Sequence, residues 1–174
     1  AAPQFVPFEE SLKTLAEAIG LQEQDIDTDY PTLYGSTGIW TLIVPIRDLA
    51  SFGKMKPQTA IFPSILKEMP KMSIHPVCLD VRDMESTMHG RHFSSPYSGT
   101  IEDAVTGTAS GVMGAYYKKY VNPLLSLPAT LIVEQGHEIG KDGKVFVHVN
   151  GTAEQLDISI SGTAVYVKDI ELEI

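Results

Sequence analysis

Cysteine is nearly missing from this chain: Cys78 is the only one in 174 residues. That excludes an internal disulfide framework and fits a reducing compartment. Long apolar runs are missing too, none approaching the ~20 residues a membrane-spanning helix needs. Basic residues are few and scattered, 13 Lys and Arg against 22 Asp and Glu, for a net charge of −9. Lys118-Lys119 is the only adjacent basic pair, and it suits the C-terminal end of a helix. Without a basic cluster, nucleic acid and anionic membrane surfaces are excluded as partners. There is no Gly-x-Ser-x-Gly elbow, dinucleotide fingerprint or phosphate loop, and no low-complexity linker or internal repeat. The opening Ala-Ala-Pro-Gln-Phe lacks the basic and apolar segments of a signal peptide, so a cytoplasmic location is expected. It also lacks an initiator Met, as in a chain processed or excised from something longer.

What remains is an ordinary globular composition, 43% hydrophobic and 20% charged, long enough for one domain around one substantial core. Apolar residues at Phe8, Leu12, Leu15, Ala16 and Ile19 predict a helix over 7–20, with Pro7 in its first turn and Gly20 at its stop. Residues 22–38 read as irregular. A strand is expected at Ile39–Ile46, with Pro45 at an edge or terminus. A short or broken helix is expected over 57–68 because Pro63 interrupts it. Ile74–Asp80 reads as a strand and Met84–Gly99 as a loop. Four strands are expected later, at Thr130–Glu134, Lys144–Val149, Leu156–Ile160 and Thr163–Lys168, with turn signals at Asp142-Gly143 and Asn150-Gly151.

The richest stretch is Arg91–Tyr120. It sets Glu102 and Asp103 before a Thr106-Gly107-Thr108 turn that opens a helix at about 107–121. That helix is small or apolar on nearly every side, with Gly107, Gly111 and Gly114 in it. Each glycine costs roughly 1 kcal/mol relative to alanine, a cost tolerated where other backbone approaches closely. The expected architecture is therefore α+β, a curved, mainly antiparallel, barrel-like sheet wrapped around this helix. The first turn of a helix has unpaired N–H groups and partial positive charge. Gly107, Thr108 and Ala109 are candidates to donate backbone N–H bonds to a substrate carboxylate, with Thr106 a further substrate-binding candidate; the alternative is that Thr106 or Thr108 simply caps the helix. Asp103 is either a proton-transfer group or an electrostatic complement to the helix start. Glu102 reads as structural. His89 and His92, with Asp83 and Glu85 nearby, lack a third convergent ligand on a regular element, so no metal is expected. His75, His137 and His148 read as packing or surface residues, and Cys78 as an inert core residue.

Gly99-Thr-Ile-Glu-Asp-Ala-Val-Thr-Gly-Thr-Ala resembles the phenazine-biosynthesis isomerase (PhzF-like) family, whose core is Glu-Asp-Pro-x-Thr-Gly-Ser-Ala. Arg91-His92-Phe93, Ser36-Thr37-Gly38, Val133-Glu134-Gln135-Gly136, Gly140-Lys141 and Ser161-Gly162-Thr163-Ala164-Val165 extend the resemblance over essentially the whole chain. The resemblance implies a diaminopimelate-epimerase-like fold of two similar lobes. It also implies proton transfer on a small carboxylated metabolite in the cleft between them, without metal or organic cofactor. It carries the family's motif Asp onto Asp103 and its Ser onto Thr108. The motif Pro is Ala104 here, and the usual Arg is Lys141. Nothing in residues 1–98 matches the general-acid/base Glu or the Cys-Gly-His-type segment of the family's first lobe. The expectation is thus a C-terminal lobe alone, inactive by itself, completed by the missing N-terminal lobe. The alternative is a non-catalytic module that binds a small carboxylate or pairs as a homodimer.

Overall fold

Short runs of β-branched and aromatic residues dominate both ends of the chain, and the structure joins them into one sheet. The structure, a computed structural model, describes residues 2–164, 166, 169 and 171. Among the described residues the strands are β1 (Gln4–Pro7), β2 (Leu33–Ser36), β3 (Trp40–Pro45), β4 (Ser73–Cys78), β5 (Met88–Gly90), β6 (His92–Phe93), β7 (Glu102–Asp103), β8 (Ala129–Gln135), β9 (Gly143–Gly151) and β10 (Leu156–Gly162). Their order is β1-β2-β3-β4-β5-β8-β9-β10, with β6 pairing both β4 and β7. Only β3–β4 and β5–β8 are parallel, so the sheet is mainly antiparallel, as expected. The helices are α1 (Leu12–Ala18), α2 (Leu49–Lys54), α3 (Phe62–Ile65) and α4 (Gly107–Tyr116). Among the described residues, no helix is long and apolar enough to cross a membrane.

Side chains alternate across a strand, and β2–β4 use that alternation to serve two cores. Tyr34, Leu42, Val44, Ile74 and Cys78 join Leu15, Ile19, Phe52, Phe62 and Leu66 from the short helices. Leu33, Ile43 and Val77 join Val112, Met113 and Tyr116 of α4 with Val133, Val145, Val147 and Val149 of β8 and β9. Strands buried on both faces read as continuous apolar runs, which is why Ile39–Ile46 was legible. Helix α4 is enclosed, every residue from Ala109 to Tyr116 being buried. A Cβ on Gly114 would lie 2.4 Å from Cγ1 of Val147, so the sheet does close on the helix as its small residues implied. The last turn of the expected 107–121 helix is wider than α, a π-turn over Tyr117–Val121.

Several local expectations are corrected. The first helix starts at Leu12, because Ser11 caps it by accepting from Thr14 N at 3.4 Å; Pro7 ends β1 instead. Residues 33–36, expected to be irregular, form β2, held from both sides by β1 and β3. The supposed loop 84–99 contains β5 and β6. Helix α2 was not anticipated; Asp48 caps it, accepting from Ser51 N at 2.8 Å. Strands of two to four residues are too short to show periodicity and form only because neighbours supply hydrogen bonds. Thr163–Lys168 lies partly outside the described residues.

Candidate functional site

Glu102 and Asp103 are consecutive residues of a short strand, so their side chains leave on opposite faces. Glu102 turns inward. Its carboxylate takes both arms of Arg91, Nε at 2.8 Å and Nη2 at 2.7 Å, a bidentate charge-assisted pair. The remaining arm of Arg91 donates to the carbonyl of Phe52 at 2.7 Å, and the guanidinium sits 4.8 Å above the Phe93 ring. Glu102 is therefore structural, locking β7 to the first core.

Asp103 turns outward, and its position is set by a small network. Thr106 Oγ1 donates to Asp103 Oδ2 at 2.7 Å. The fully buried Gln135, at the end of β8, donates from Nε2 to the Asp103 carbonyl at 2.8 Å and to Thr106 Oγ1 at 3.2 Å. Its Oε1 accepts from Thr106 N at 3.2 Å. Gly136 follows with φ of 89°, where a Cβ would lie 2.2 Å from the Lys141 carbonyl and 2.7 Å from that of Ala104. The Gln-Gly pair thus clamps the loop before α4, a role that sequence reading missed because its partners lie about 30 residues away. Thr106 occupies the N-cap position but makes no side-chain cap bond, its hydroxyl being committed to Asp103. Among the described residues, no protein acceptor meets the N–H groups of Gly107, Thr108 and Ala109. Thr108 is exposed, while the Ala109 side chain is buried, which leaves only its backbone to act.

Asp103 and His92 face each other across β6–β7 as a direct cross-strand pair. Together they line an open cleft of about 310 Å³ whose other walls include Trp40, Met72, Lys71, Ser94 and Ser98. Gly107, Thr108 and Ala109 are not among its walls. Burial pushes His92 down to about 4, against the opposing pull of the Asp103 carboxylate. Behind it, His92 Nδ1 lies 3.1 Å from Nδ1 of the fully buried His75, whose Nε2 is 2.8 Å from Met113 Sδ. Burial, then the neighbouring His92, holds His75 well below the ordinary histidine value. Nothing local in the sequence signals this pairing.

His89 and His92, close in sequence, point to different partners. His89 Nδ1 is 2.7 Å from Glu134 Oε1 and its Nε2 3.1 Å from Glu138 Oε1. His89, Glu134 and His137 bring ligand atoms within 4.8 Å of one another, but Glu134 already accepts from Arg82 N, Asp83 N and His89. A cation would have to displace those bonds. Burial would raise both glutamates, yet hydrogen bonds outweigh it. Glu134 is lowered mainly by Arg82 N and His89, and Glu138 falls to about 2 beside His89. Cys78 is buried and its thiol pushed up to about 12, an inert position. Lys141 is exposed, its N–H bonded to the Gly136 carbonyl at 3.0 Å.

Residues 1–169 match the family described as phenazine biosynthesis-like protein. An uncharacterized isomerase of Bacillus subtilis, YfhB, is 51% identical over 166 residues, 95% of this chain and 56% of that protein. The crystal structure of a Bacillus anthracis phenazine biosynthesis protein of the PhzF family superposes with a TM-score of 0.95 at 56% identity, covering 100% of this chain and 59% of that one. A predicted epimerase from Pseudomonas aeruginosa shares the fold, with a TM-score of 0.71 at 19% identity over 95% of this chain and 57% of its own. The chain spans little more than half the length of these proteins.

Proposed function

This chain belongs to the phenazine biosynthesis-like protein family, and from that premise we propose that it is the C-terminal lobe of a two-lobed isomerase or epimerase. On this reading the complete protein moves a proton on a small carboxylated metabolite without a cofactor, and this lobe by itself is inactive. Asp103 is the proton-transfer group contributed by this half. The unpaired N–H groups of Gly107, Thr108 and Ala109 bind the substrate carboxylate, aided by the positive end of α4, and Thr108 adds its hydroxyl.

The observation that carries the reading is the Asp103–Thr106–Gln135 network. It spends a buried amide on fixing an exposed carboxylate at the mouth of a cleft, beside a helix start with free donors. A carboxylate needed only to complement a helix requires no such clamp. The cleft wall exposes Ile39 (64%), and the segment that carries its Ser98 and Thr100 also exposes Tyr97 (69%) and Ile101 (64%), apolar surface suited to a covering lobe. Proton removal and return on two faces of a substrate normally require two positioned groups, so a second carboxylate is assigned to the missing lobe.

Native mass spectrometry of this chain with the separately expressed first half of the Bacillus subtilis relative tests the assembly. A one-to-one complex at micromolar concentration is expected. That complex, and not the chain alone, should incorporate solvent deuterium at an acidic C–H of a small carboxylated metabolite. Asp103→Asn should reduce incorporation by about 10²–10⁴-fold. Failure to associate would count decisively against the proposal. A stable homodimer of the chain alone would favour the non-catalytic module instead, with the same apolar surface buried against a second copy.

A further inference from the structure

The His92–His75–Met113 line behind the cleft has a chemical direction. A methionine thioether accepts hydrogen bonds and cannot donate them. At 2.8 Å from Met113 Sδ, His75 Nε2 must carry the proton, because two lone pairs would otherwise oppose each other. Burial keeps both rings neutral, so each holds one proton. His75 Nδ1 is then bare and accepts from His92 Nδ1–H across 3.1 Å. That leaves the lone pair of His92 on Nε2, which has no protein partner among the described residues. Gly90 makes room for the arrangement, since a Cβ there would stand 3.0 Å from His75 Nε2 and 3.5 Å from the methyl of Met113.

We propose that Met113, acting through His75, fixes His92 as the Nδ1–H tautomer, so that Nε2 is a hydrogen-bond acceptor in the cleft beside Asp103, selecting small carboxylates that carry a hydroxyl or amino donor. This rests on the proposed carboxylate site at the start of α4, next to Asp103, and adds a donor requirement on the cleft side of Asp103. Asp103 and His92 Nε2 are both acceptors on one wall of the cleft, whereas the N–H groups that take the carboxylate lie beside it at the start of α4. A molecule with an anionic end and an O–H or N–H complements that division; a plain carboxylate leaves Nε2 unpaired. Ile39, Trp40 and Met72 supply an apolar wall, which suits a ring or short hydrocarbon between the two ends. His92 is thus a specificity-determining residue, and His75 and Met113 are positioning residues.

Nitrogen-15 NMR of the histidine rings in the full chain at neutral pH tests the tautomer without any ligand. His92 should show a protonated Nδ1 and a bare Nε2, and His75 the reverse. Met113→Leu, of similar volume, should release the preference and give mixed tautomers in both rings. A protonated Nε2 on His92, or an unchanged pattern in Met113→Leu, overturns the proposal. Titration with 3-hydroxybenzoate and benzoate then tests selection. The hydroxylated compound should bind about tenfold more tightly, the worth of one hydrogen bond, and His92→Phe should erase the difference. Equal affinities in the unaltered chain overturn the donor requirement. Binding of neither compound, with the tautomers as expected, overturns the carboxylate reading beneath the proposal. The ligand-free spectra keep those two failures distinct.

Discussion

Gln135 is the residue on which the candidate site most depends, although it does not itself line the cleft. It is buried without exposure and every polar atom of its side chain is used, Oε1 by Thr106 N and Nε2 by the Asp103 carbonyl and Thr106 Oγ1. Gln135→Leu keeps the volume but strands those partners, at a cost of about 1–3 kcal/mol. A matching fall in the urea midpoint is expected, together with broadened amide signals for residues 103–108. The two histidines at the site act through pH. The folded value of His92, about 4, lies below its ordinary 6.5. Between those values the unfolded chain binds a proton that the folded chain refuses. Its contribution is therefore intact above pH 6.5 and is lost as pH falls towards 4. His75 shifts in the same direction. Glu138, held at about 2, extends the loss of stability further into acid, from its ordinary value near 4.5 downward. Melting temperature should drop steadily below pH 6.5, and His92→Gln should flatten the profile between 6.5 and 4. A profile level down to pH 4 in the unaltered chain would contradict the burial of these rings.

At the level of elements, α4 shows how composition and packing oppose each other. Glycine in a helix costs about 1 kcal/mol against alanine, so Gly114→Ala would stabilise an isolated helix. In the folded chain the new methyl meets Val147 Cγ1 at 2.4 Å, and a β-branched side chain within a strand has little freedom to yield. Overpacking of this kind costs about 1–3 kcal/mol. The net expectation is destabilisation by up to about 2 kcal/mol in chemical denaturation. Adding Val147→Ala to Gly114→Ala should recover part of the loss, since it vacates the contested space. The helix length, its small-residue lining and the enclosing sheet were all legible in the spacing of residues 107–121. The short strands β2, β5, β6 and β7 were not. Each gains its hydrogen bonds from strands elsewhere in the chain, and runs of two to four residues display no period.

At the scale of the whole molecule, the described residues form two apolar clusters rather than the one core that its length suggested, and strands β2–β4 contribute to both. Leu42 and Val44 face one cluster while Ile43 between them faces the other. A loss on either face therefore loosens the same strands. Phe52→Ala, in the first cluster, should cost about 3–5 kcal/mol. The chain should still unfold in a single transition, with fluorescence of its one tryptophan, Trp40 beside the first cluster, coinciding with the loss of far-ultraviolet circular dichroism. Two separated transitions would show that the clusters are independent and that the shared strands do not couple them.

The sequence by itself determined the class of the molecule, its enclosed helix, its later hairpins and the Glu-Asp…Thr-Gly-Thr loop with the family it resembles. These follow from local chemistry: glycine and β-branched spacing, turn dipeptides, and donors left free at the start of a helix. Only the tertiary structure decided which groups keep company with Asp103. His92 meets it through the β6–β7 register, His75 lies behind His92 from a third strand, and Gln135 reaches the loop from β8. Register and strand order arise from pairing between distant segments, where a shift of one residue exchanges every facing side chain. No pattern within ten residues of Asp103 could therefore have disclosed these distant partners.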